Sequence, residues 1–303
     1  MPDITLEKIN NSVTNRKEDF IAECESFYRS QLEAVTDDIC KIHGRVLLML
    51  AGPSSSGKTT TAEILKKELG IKGRHAIVIS LDDFYRDQSE RFYFEDGTID
   101  YETVKSIDTQ YVSVCMENLL HQGQALIPHF SFYTKRREGY NEVRVHDDEV
   151  IIVEGIHALN PEITDPLKNE NMIKVYVSVS SRIYKDGEAF LSKRDIRFIR
   201  RLIRDYHFRS SSVDYTFYLW KGVRMGEDRY LFPYSGMADI RIDSIHPYEL
   251  CVFKDIAIKL LDHIGSDSIY YPTAQELKNK LGEFVSLSES EVPENSLLKE
   301  FIG

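Results

Sequence analysis

Short apolar runs recur along the chain, at residues 45–51, 76–81, 150–153 and 173–179. These runs, RVLLMLA, AIVISL, VIIV and IKVYVSV, are almost continuously apolar, as is typical of parallel strands buried on both faces of a sheet. Residues 240–242 predict a short fifth strand. The pattern therefore predicts a sheet in which most strands are parallel.

Segments with helical spacing of apolar residues lie between these runs. Residues 58–69 place Ala62, Leu65 and Leu69 on one face, and residues 194–206 and 248–264 are further helix candidates. Strands that alternate with helices indicate an α/β fold, with helices covering both faces of the central sheet.

The first 44 residues have a different pattern. Phe20, Cys24 and Phe27 share one helical face, and after a slip in the spacing the face continues through apolar residues at 32, 35, 39 and 42. This predicts an amphipathic helix packed on the body of the protein or on a partner subunit. We divide the chain into a helical arm at 1–44, an α/β domain at 45–265 and an extension at 266–303 packed on that domain.

Composition and charge argue against several classes of protein. Of the 303 residues, 42% are hydrophobic, which is enough for a substantial core, and the net charge of −11 argues against binding to nucleic acid. No apolar run approaches the length of a membrane-spanning helix, and the N-terminus lacks the apolar stretch of a signal peptide. The four cysteines are far apart in sequence, so we expect unpaired thiols and a cytoplasmic protein.

One motif indicates a nucleotide. Residues 52–59, GPSSSGKT, match G-x-x-x-x-G-K-[ST] between a predicted strand and a predicted helix. The backbone N–H groups of such a loop and of the helix N-terminus bind phosphates, the lysine reaches the β- and γ-phosphates, and the hydroxyl of Thr59 can bind Mg²⁺. We therefore expect ATP to contact Gly52, Ser54, Ser55, Ser56, Gly57, Lys58, Thr59 and Thr60.

Carboxylates follow two of the predicted strands. Asp82 and Asp83 come after the second strand, and Glu154 follows the third. Ligands of open α/β sheets bind at the carboxyl ends of the strands. An acid there could accept a hydroxyl proton or bind the metal, although one member of the aspartate pair could serve only as a turn or helix cap.

The predicted helix near residue 200 carries arginines on one face, at positions 197, 200, 201 and 204. Such a face is suited to phosphate oxygens, and we interpret it as a mobile lid over the transferred phosphoryl group. A solvated helix whose arginines pair with Asp195 and Asp205 is the alternative. The chain has no N-K-x-D guanine signature and no H-R-D or D-F-G motif, which counts against a GTPase switch and an ordinary protein kinase.

Taken together, these segments resemble the uridine kinase and phosphoribulokinase family of P-loop kinases. The resemblance rests on GPSSSGKTT, SLDDFYRD, IPHFSFYTKRR, VIIVEGIHAL, RRLIRDYHFR and ADIRIDS, which occur in the family's order. It covers residue 40 to the end and is closest to the bacterial uridine-kinase-related nucleoside kinases. It implies a P-loop fold with an arginine-bearing lid.

The resemblance also implies roles for individual residues. Asp82 matches the proton acceptor, which is also close to Mg²⁺, Glu154 matches the acid on the metal side, and Arg201, Arg204 and Arg209 match lid arginines. On the substrate side, Tyr85 and Asp100 match the aromatic near the nucleoside and an acid that binds the sugar. Phe130 and Lys135 align with the tyrosine and histidine that recognise the pyrimidine, and Arg137 closes that segment.

The implied activity is transfer of the γ-phosphate of ATP, with Mg²⁺, to a small hydroxyl substrate, most simply the 5′-hydroxyl of uridine or cytidine. Another ribosyl or small-molecule acceptor is the nearest alternative. A nucleotide-binding regulator that hydrolyses ATP slowly is the alternative from a different class. A small-molecule substrate is the expected partner, with no nucleic acid or membrane, and a homo-oligomer is left open.

Overall fold

The computed structural model describes residues 4–87 and 92–303, so residues 1–3 of the predicted arm lie outside the described ranges. Its strands are β1 (Ile4–Thr5), β2 (Val46–Ala51), β3 (Ala76–Ser80), β4 (Gln124–Ser131), β5 (Arg136–Arg144), β6 (Val150–Glu154), β7 (Met172–Ser178), β8 (Ile183–Lys185), β9 (Glu188–Leu191) and β10 (Ile240–Asp243). Its helices are α1 (Leu6–Asn15), α2 (Lys17–Cys40), α3 (Lys58–Ile71), α4 (Thr109–Gln122), α5 (Pro161–Thr164), α6 (Lys193–Arg209), α7 (Val213–Tyr230), α8 (Glu249–Leu261), α9 (Tyr271–Gly282) and α10 (Lys299–Ile302).

The central sheet has the strand order β10-β7-β2-β6-β3, and all its neighbouring strands are parallel. Strands β2 and β6 are buried along their whole length, because helices cover both faces of the sheet. The α/β fold with a parallel central sheet, predicted from the apolar runs, is confirmed. The P-loop follows the middle strand, and the ends of β3 and β6 lie next to it.

The arm consists of α1 and α2, which follow the short strand β1. The buried face of α2 runs through Ile21, Cys24, Tyr28, Leu32 and Val35. The predicted face is correct at Cys24, Leu32 and Val35. Phe20 is partly buried and packs against the same core, and Phe27 is only partly buried. The arm residues share one hydrophobic core with the sheet and with the last residues of the extension.

Two further features bear on the site. Strands β4 and β5 form an antiparallel hairpin that projects from the sheet, which the sequence pattern had not predicted. Cys24, Cys40, Cys115 and Cys251 are free, in agreement with the expectation of unpaired thiols. Within the described ranges, no helix combines the length and the apolar character needed to cross a bilayer.

Candidate active site

A cavity of about 750 Å³ lies at the carboxyl edge of the central sheet. Of the residues predicted from sequence, it is lined by Ser54, Ser55, Gly57, Lys58, Thr59, Asp82, Tyr85, Phe130, Lys135, Glu154, Arg201, Arg204 and Arg209. Gly52, Ser56, Thr60, Asp100 and Arg137 are not among the lining residues. The fold thus brings most of the predicted donor and acceptor residues to one space.

The P-loop is fixed by charged side chains behind it. Arg197 donates to both carboxylate oxygens of Glu227 at 2.6 and 2.7 Å, and to the carbonyl of Ser54 at 3.0 Å. The N–H of Ser54 donates to the same glutamate at 2.8 Å. Arg200, which is fully buried, pairs with Glu249 and donates to the carbonyl of Ser55 at 3.4 Å. The loop is therefore held in shape before any ligand binds.

Ser55 and Gly57 have left-handed backbone conformations, with φ of 57° and 87°. This curl directs the N–H groups of the loop and of the first turn of α3 towards one point. The hydroxyls of Ser55 and Ser56 are buried and have no hydrogen-bond partner among the described residues. A loop of this kind between a central parallel strand and a helix binds phosphates, and the protein belongs to the P-loop class.

The arginine face of α6 divides into two parts, which corrects the interpretation of the whole face as directed at phosphate. Arg197 and Arg200 are structural, as their buried ion pairs show. Arg201 reaches the cavity and donates to the hydroxyl of Ser54 at 2.8 Å. Arg204 lines the cavity as well, and Asp205 lies 3.1 Å from Arg201 and 2.9 Å from Arg204.

Most of α6 is part of the packed body, since it buries residues on several faces and contacts α7, α8 and α10. The helix is therefore not solvated, although the pairing with Asp205 that this alternative included is present. Arg209, at the end of α6, keeps a side chain 56% exposed and lies 3.6 Å from Asp205. Burial lowers the pKa of Arg201 from the ordinary arginine value, and partial desolvation acts in the same direction on the more exposed Arg209. Three arginine side chains thus border the space above the P-loop.

The adjacent aspartates have different surroundings. Asp82 lines the cavity with an exposed side chain, and partial desolvation by the surrounding protein still raises its pKa, while Lys58 and Arg209 act in the opposite direction. Asp83 instead accepts from the backbone N–H of Phe130 at 3.3 Å and lies 3.4 Å from His129. Asp83 therefore fastens the hairpin to the end of β3, and Asp82 is the member of the pair that a substrate can reach.

Glu154 ends β6 level with Ser80 of β3, because these two residues are register partners. Its carboxylate accepts from the hydroxyl of Ser80 at 2.9 Å and from that of Thr59 at 3.5 Å. Burial raises the pKa of Glu154, and Lys58 counteracts this.

The oxygen donors of Glu154, Ser80 and Thr59 are the hard ligands that Mg²⁺ prefers. Within residues 4–87 and 92–303, no group of three or more histidine, cysteine, aspartate or glutamate side chains could hold a metal by itself. The residues present therefore fit an ion such as Mg²⁺, which is bound by one or two carboxylates and completed by water and substrate phosphates.

One half of the cavity is aromatic. The rings of Tyr85, Phe130 and Phe132 contact one another, with centroids 5.2 to 5.6 Å apart. Lys135, at the tip of the hairpin, adopts a left-handed conformation with φ of 58° and lines the same cavity. These residues form a surface suited to a flat ring with polar edges.

Arg137, which the resemblance places with the substrate-binding residues, does not line the cavity. Its guanidinium donates to the carbonyls of Phe84 and Tyr85 at 3.0 and 2.9 Å, and lies 3.3 Å from Asp108. It therefore positions the hairpin and the turn that carries Asp82, which corrects the role taken from the resemblance.

Asp100 is also outside the cavity. Its carboxylate accepts from the hydroxyl of Tyr230 at 2.6 Å and from the backbone N–H of Glu102 at 3.2 Å. Glu102 lines the cavity in its place, and burial raises the pKa of Glu102 to about 7, with Arg201 opposing the shift. Sequence reasoning missed Glu102, although it lies only two residues beyond the acid that the family pattern indicated.

Two further acids, Glu102 and Glu300, line the cavity. A Cβ atom on Gly226 would lie 2.3 Å from the Cβ of Glu102, so the glycine lets the loop of Glu102 pack directly on α7. On the donor side, Glu300 of α10 accepts from the hydroxyl of Thr60 at 2.6 Å and lines the cavity. Sequence reasoning also missed Glu300, because no local motif indicates that the extension reaches the P-loop.

Comparison with known proteins identifies the family. The family model described as "Phosphoribulokinase / Uridine kinase family" matches residues 47–250, which is more than half of the chain. The chain therefore belongs to this family.

Two curated relatives are named uridine kinase. That of Lactobacillus helveticus is 28% identical over 66% of this chain and 87% of its own length. That of Geobacillus kaustophilus is 31% identical over 65% of this chain and 85% of its own length. The protein is accordingly an enzyme of the same kind, a phosphotransferase with an alcohol acceptor, and use of ATP follows from the kinase family.

A solved structure from Silicibacter sp. TM1040, of a kinase ascribed to a fructose transport system, has a TM-score of 0.50 at 19% identity. The match covers 69% of this chain and 98% of that one. At this identity the likeness shows a shared fold and nothing about the substrate.

Proposed function

We propose that the protein transfers the γ-phosphoryl group of ATP to the 5′-hydroxyl of a pyrimidine nucleoside, with uridine preferred over cytidine. The observation that carries the proposal is that Asp82 lies in one cavity with Lys58 of the P-loop and with the aromatic surface around Phe130. Family membership supports the reaction class, and two relatives are named for uridine.

The chain's own residues account for the transfer. Asp82 accepts the proton of the attacking hydroxyl and orients its oxygen towards the γ-phosphorus. Lys58 and the arginines at 201, 204 and 209 bind the oxygens on which negative charge develops. Mg²⁺, held by Thr59 and Glu154 with Asp82 nearby, supplies neutralisation of phosphate charge when it is bound.

The aromatic half of the cavity, which we assign to the acceptor, supports a preference between bases. Phe130 offers a ring for stacking, and the ammonium of Lys135 can donate hydrogen bonds but cannot accept one. The O4 atom of uracil accepts, whereas the amino group at that place in cytosine is a donor. Lys135 is exposed, so water can replace part of a missing hydrogen bond, and we expect a preference for uridine of about tenfold at most.

Measurement of ADP release in the presence of ATP and Mg²⁺, with and without nucleosides, tests the reaction. Release that uridine stimulates is the expected result. A rate that no acceptor changes would indicate a nucleotide-binding regulator with slow hydrolysis. Turnover with another ribosyl or small hydroxyl substrate, and none with uridine or cytidine, would reject the pyrimidine assignment and leave the kinase chemistry in place.

The base preference has its own test in Lys135→Ala. We expect this variant to lose most of the ratio of kcat/KM for uridine over that for cytidine. Arg136→Ala is the matched control, because Arg136 is the next cation along the chain, is exposed and does not line the cavity. Equal loss of the ratio in both variants, or a wild-type enzyme that favours cytidine, would reject Lys135 as the residue that reads the base.

A further inference from the structure

Helix α2 of the arm brings one tyrosine hydroxyl to the base of the P-loop. Tyr28 is fully buried, and its hydroxyl lies 2.7 Å from the hydroxyl of Thr61 in α3. Thr61 donates its own proton to the carbonyl of Gly57 at 2.6 Å. Because a threonine hydroxyl has only one proton, Tyr28 is the donor in the bond between the two hydroxyls. Two hydrogen bonds in series therefore join the arm to the last glycine of the P-loop.

The carbonyl of Gly57 belongs to the same peptide as the N–H of Lys58, which begins α3 and has no partner within the helix. The peptide is planar and trans, so its C=O and N–H point in opposite directions. The carbonyl also accepts from the backbone N–H of Thr61 at 2.8 Å, which occupies its second lone pair. A carbonyl held towards α3 by two bonds keeps the N–H of Lys58 directed at the loop, where phosphates bind. Hydrogen bonds in series polarise one another, so this N–H also becomes a stronger donor.

Buried contacts of the arm hold Tyr28 in place. Glu25, one turn earlier on α2, accepts from the hydroxyls of Tyr248 and Ser296, both at 2.6 Å. The rings of Tyr28 and His246 have centroids 5.2 Å apart. Burial raises the pKa of Tyr28, so its hydroxyl keeps the proton that it donates. Helix α2 lies outside the residues 47–250 that the family model matches, so this contact comes from a part of the chain that the model does not describe.

We propose that Tyr28 is a positioning residue for the donor nucleotide. Acting through Thr61, it fixes the peptide that ends the P-loop and so strengthens the hydrogen bond from the N–H of Lys58 to a phosphate oxygen. This rests on the proposed function only in taking ATP as the phosphoryl donor. The buried ion pairs behind the loop fix its beginning, and the arm fixes its end. Because Tyr28 does not line the cavity, its hydroxyl acts on the affinity for the nucleotide and not on the transfer itself.

Binding of ADP with Mg²⁺ to Tyr28→Phe, measured by titration calorimetry without an acceptor, tests this inference apart from catalysis. The variant loses the hydroxyl and keeps the ring. We expect Kd to rise about two- to tenfold, as for the loss of one hydrogen bond. At saturating ATP and acceptor, kcat should stay within about twofold of the wild-type value, because the bond serves the ground state and the transition state equally. Thr61→Val should raise Kd at least as much, and adding Tyr28→Phe to Thr61→Val should raise it no further.

Tyr248→Phe is the matched control, since it removes another buried tyrosine hydroxyl next to the arm, one that contacts Glu25 and Ser296 and not α3. It should lower Tm and leave Kd for ADP at the wild-type value.

An unchanged Kd in Tyr28→Phe, or an equal rise in both tyrosine variants, would overturn the inference, because the arm would then contribute only stability. A further rise in the double variant would overturn it too, since Tyr28 would then act by a route other than Thr61. The two tyrosine variants decide the question even if Thr61→Val does not fold. A wild-type protein that binds no ADP would reject the proposed function as well, whereas ADP binding with an unchanged Kd in Tyr28→Phe rejects only the role of Tyr28.

Discussion

Asp82 and Asp83 are chemically identical neighbours that the fold uses differently. Asp82 faces the cavity, and Asp83 is occupied by the backbone of Phe130. Asp82→Asn keeps the shape of the side chain but removes its ability to accept a proton. We expect kcat to fall by about 10²- to 10⁴-fold, with a much smaller change in the affinity for ATP. Steady-state kinetics with saturating ATP and acceptor measure this.

Asp83→Asn is the control for Asp82→Asn. The amide oxygen can still accept from the N–H of Phe130, so most of kcat should remain, and any loss should be in the KM of the acceptor. An inactive Asp83→Asn together with an active Asp82→Asn would show that the proton acceptor is the other member of the pair.

The raised pKa of Glu102 predicts that kcat/KM for the acceptor depends on pH. Burial raises the pKa of Glu102 to about 7, so the carboxylate is mostly protonated at pH 6 and mostly ionised at pH 8. If the ionised form binds a hydroxyl of the acceptor, kcat/KM for the acceptor should rise about tenfold over this interval. The rise should be absent in Glu102→Gln, and a rise that persists there would assign the titration to another group, such as Asp82.

The raised pKa of Glu102 also predicts that the free energy of unfolding changes with pH, in the opposite direction to kcat/KM. The pKa of Glu102 is higher in the folded protein than its ordinary value of 4.5, so the folded state binds more protons between these pH values. The free energy of unfolding from this group therefore decreases as the pH rises through about 7. Glu102→Gln should raise Tm at pH 8 and leave it almost unchanged at pH 5, which thermal unfolding at both pH values measures.

Sequence could identify individual site residues only where a strand end or a motif fixed their position. Asp82 and Glu154 follow strands, and Lys58 lies within the P-loop, so their places could be predicted. Asp100 could not be separated from Glu102, because the loop that carries them has no regular periodicity and its packing on α7 decides which carboxylate faces the cavity.

At the scale of elements, one face of α6 carries two kinds of arginine. Some form buried ion pairs that stabilise the fold, and others line the cavity, where we predict that they contact phosphate. Arg201→Ala and Arg204→Ala should each lower kcat, on the order of 10³-fold for an arginine directed at phosphate, with a modest decrease in Tm. Their guanidinium groups border the cavity, and Asp205, which both approach, also lies 3.6 Å from Arg209.

Arg200→Ala is the contrasting variant on the same face. It removes the partner of Glu249, and both side chains are almost fully buried. Breaking a buried ion pair from one side costs about 3–5 kcal/mol of unfolding free energy, which chemical denaturation would detect. Comparable losses of stability in Arg201→Ala and Arg204→Ala, with activity retained, would contradict their assignment to the transferred phosphate.

Elements with strong periodicity were predictable, and those held by tertiary contacts were not. Strands β2, β6 and β7 carry nearly continuous apolar runs, and α3 and α6 show helical spacing. In the hairpin, β5 has no buried residue to mark it as a strand, since it is stabilised by pairing with β4 and by the contacts of Arg137. The apolar residues of α2 fit more than one helix face, so the sequence placed Phe27 on the buried face, where Tyr28 lies instead.

For the whole molecule, the arm and the sheet should unfold together, because they share one hydrophobic core. Leu32→Ala creates a cavity at a fully packed position of α2, and we expect a loss of about 2–5 kcal/mol of unfolding free energy with a single transition. Glu33→Ala on the exposed face is the control and should change the unfolding free energy by less than about 0.5 kcal/mol. Separate transitions for arm and sheet would contradict the shared core.

At this scale the sequence predicted the layers of the fold but not how its ends meet. Long-range contacts such as the hydrogen bond from Tyr248 to Glu25 and that from Ser296 to Glu25, both 2.6 Å, join segments far apart in the chain. No local pattern reports such pairings, because each residue alone resembles an ordinary surface residue. The division at 44 and 265 remains a prediction.

Two consecutive residues of helix α7 contact two different loops of the site. Gly226 receives the side chain of Glu102 on the acceptor side, and Glu227 binds the backbone of Ser54 on the donor side. If a shift of the helix that tightens one loop also moves the other, occupancy of one half changes the free energy of occupying the other half. Thermodynamic reciprocity then requires that the acceptor changes the affinity for ATP by the same factor by which ATP changes the affinity for the acceptor. A measured factor of one would show that the two halves bind independently.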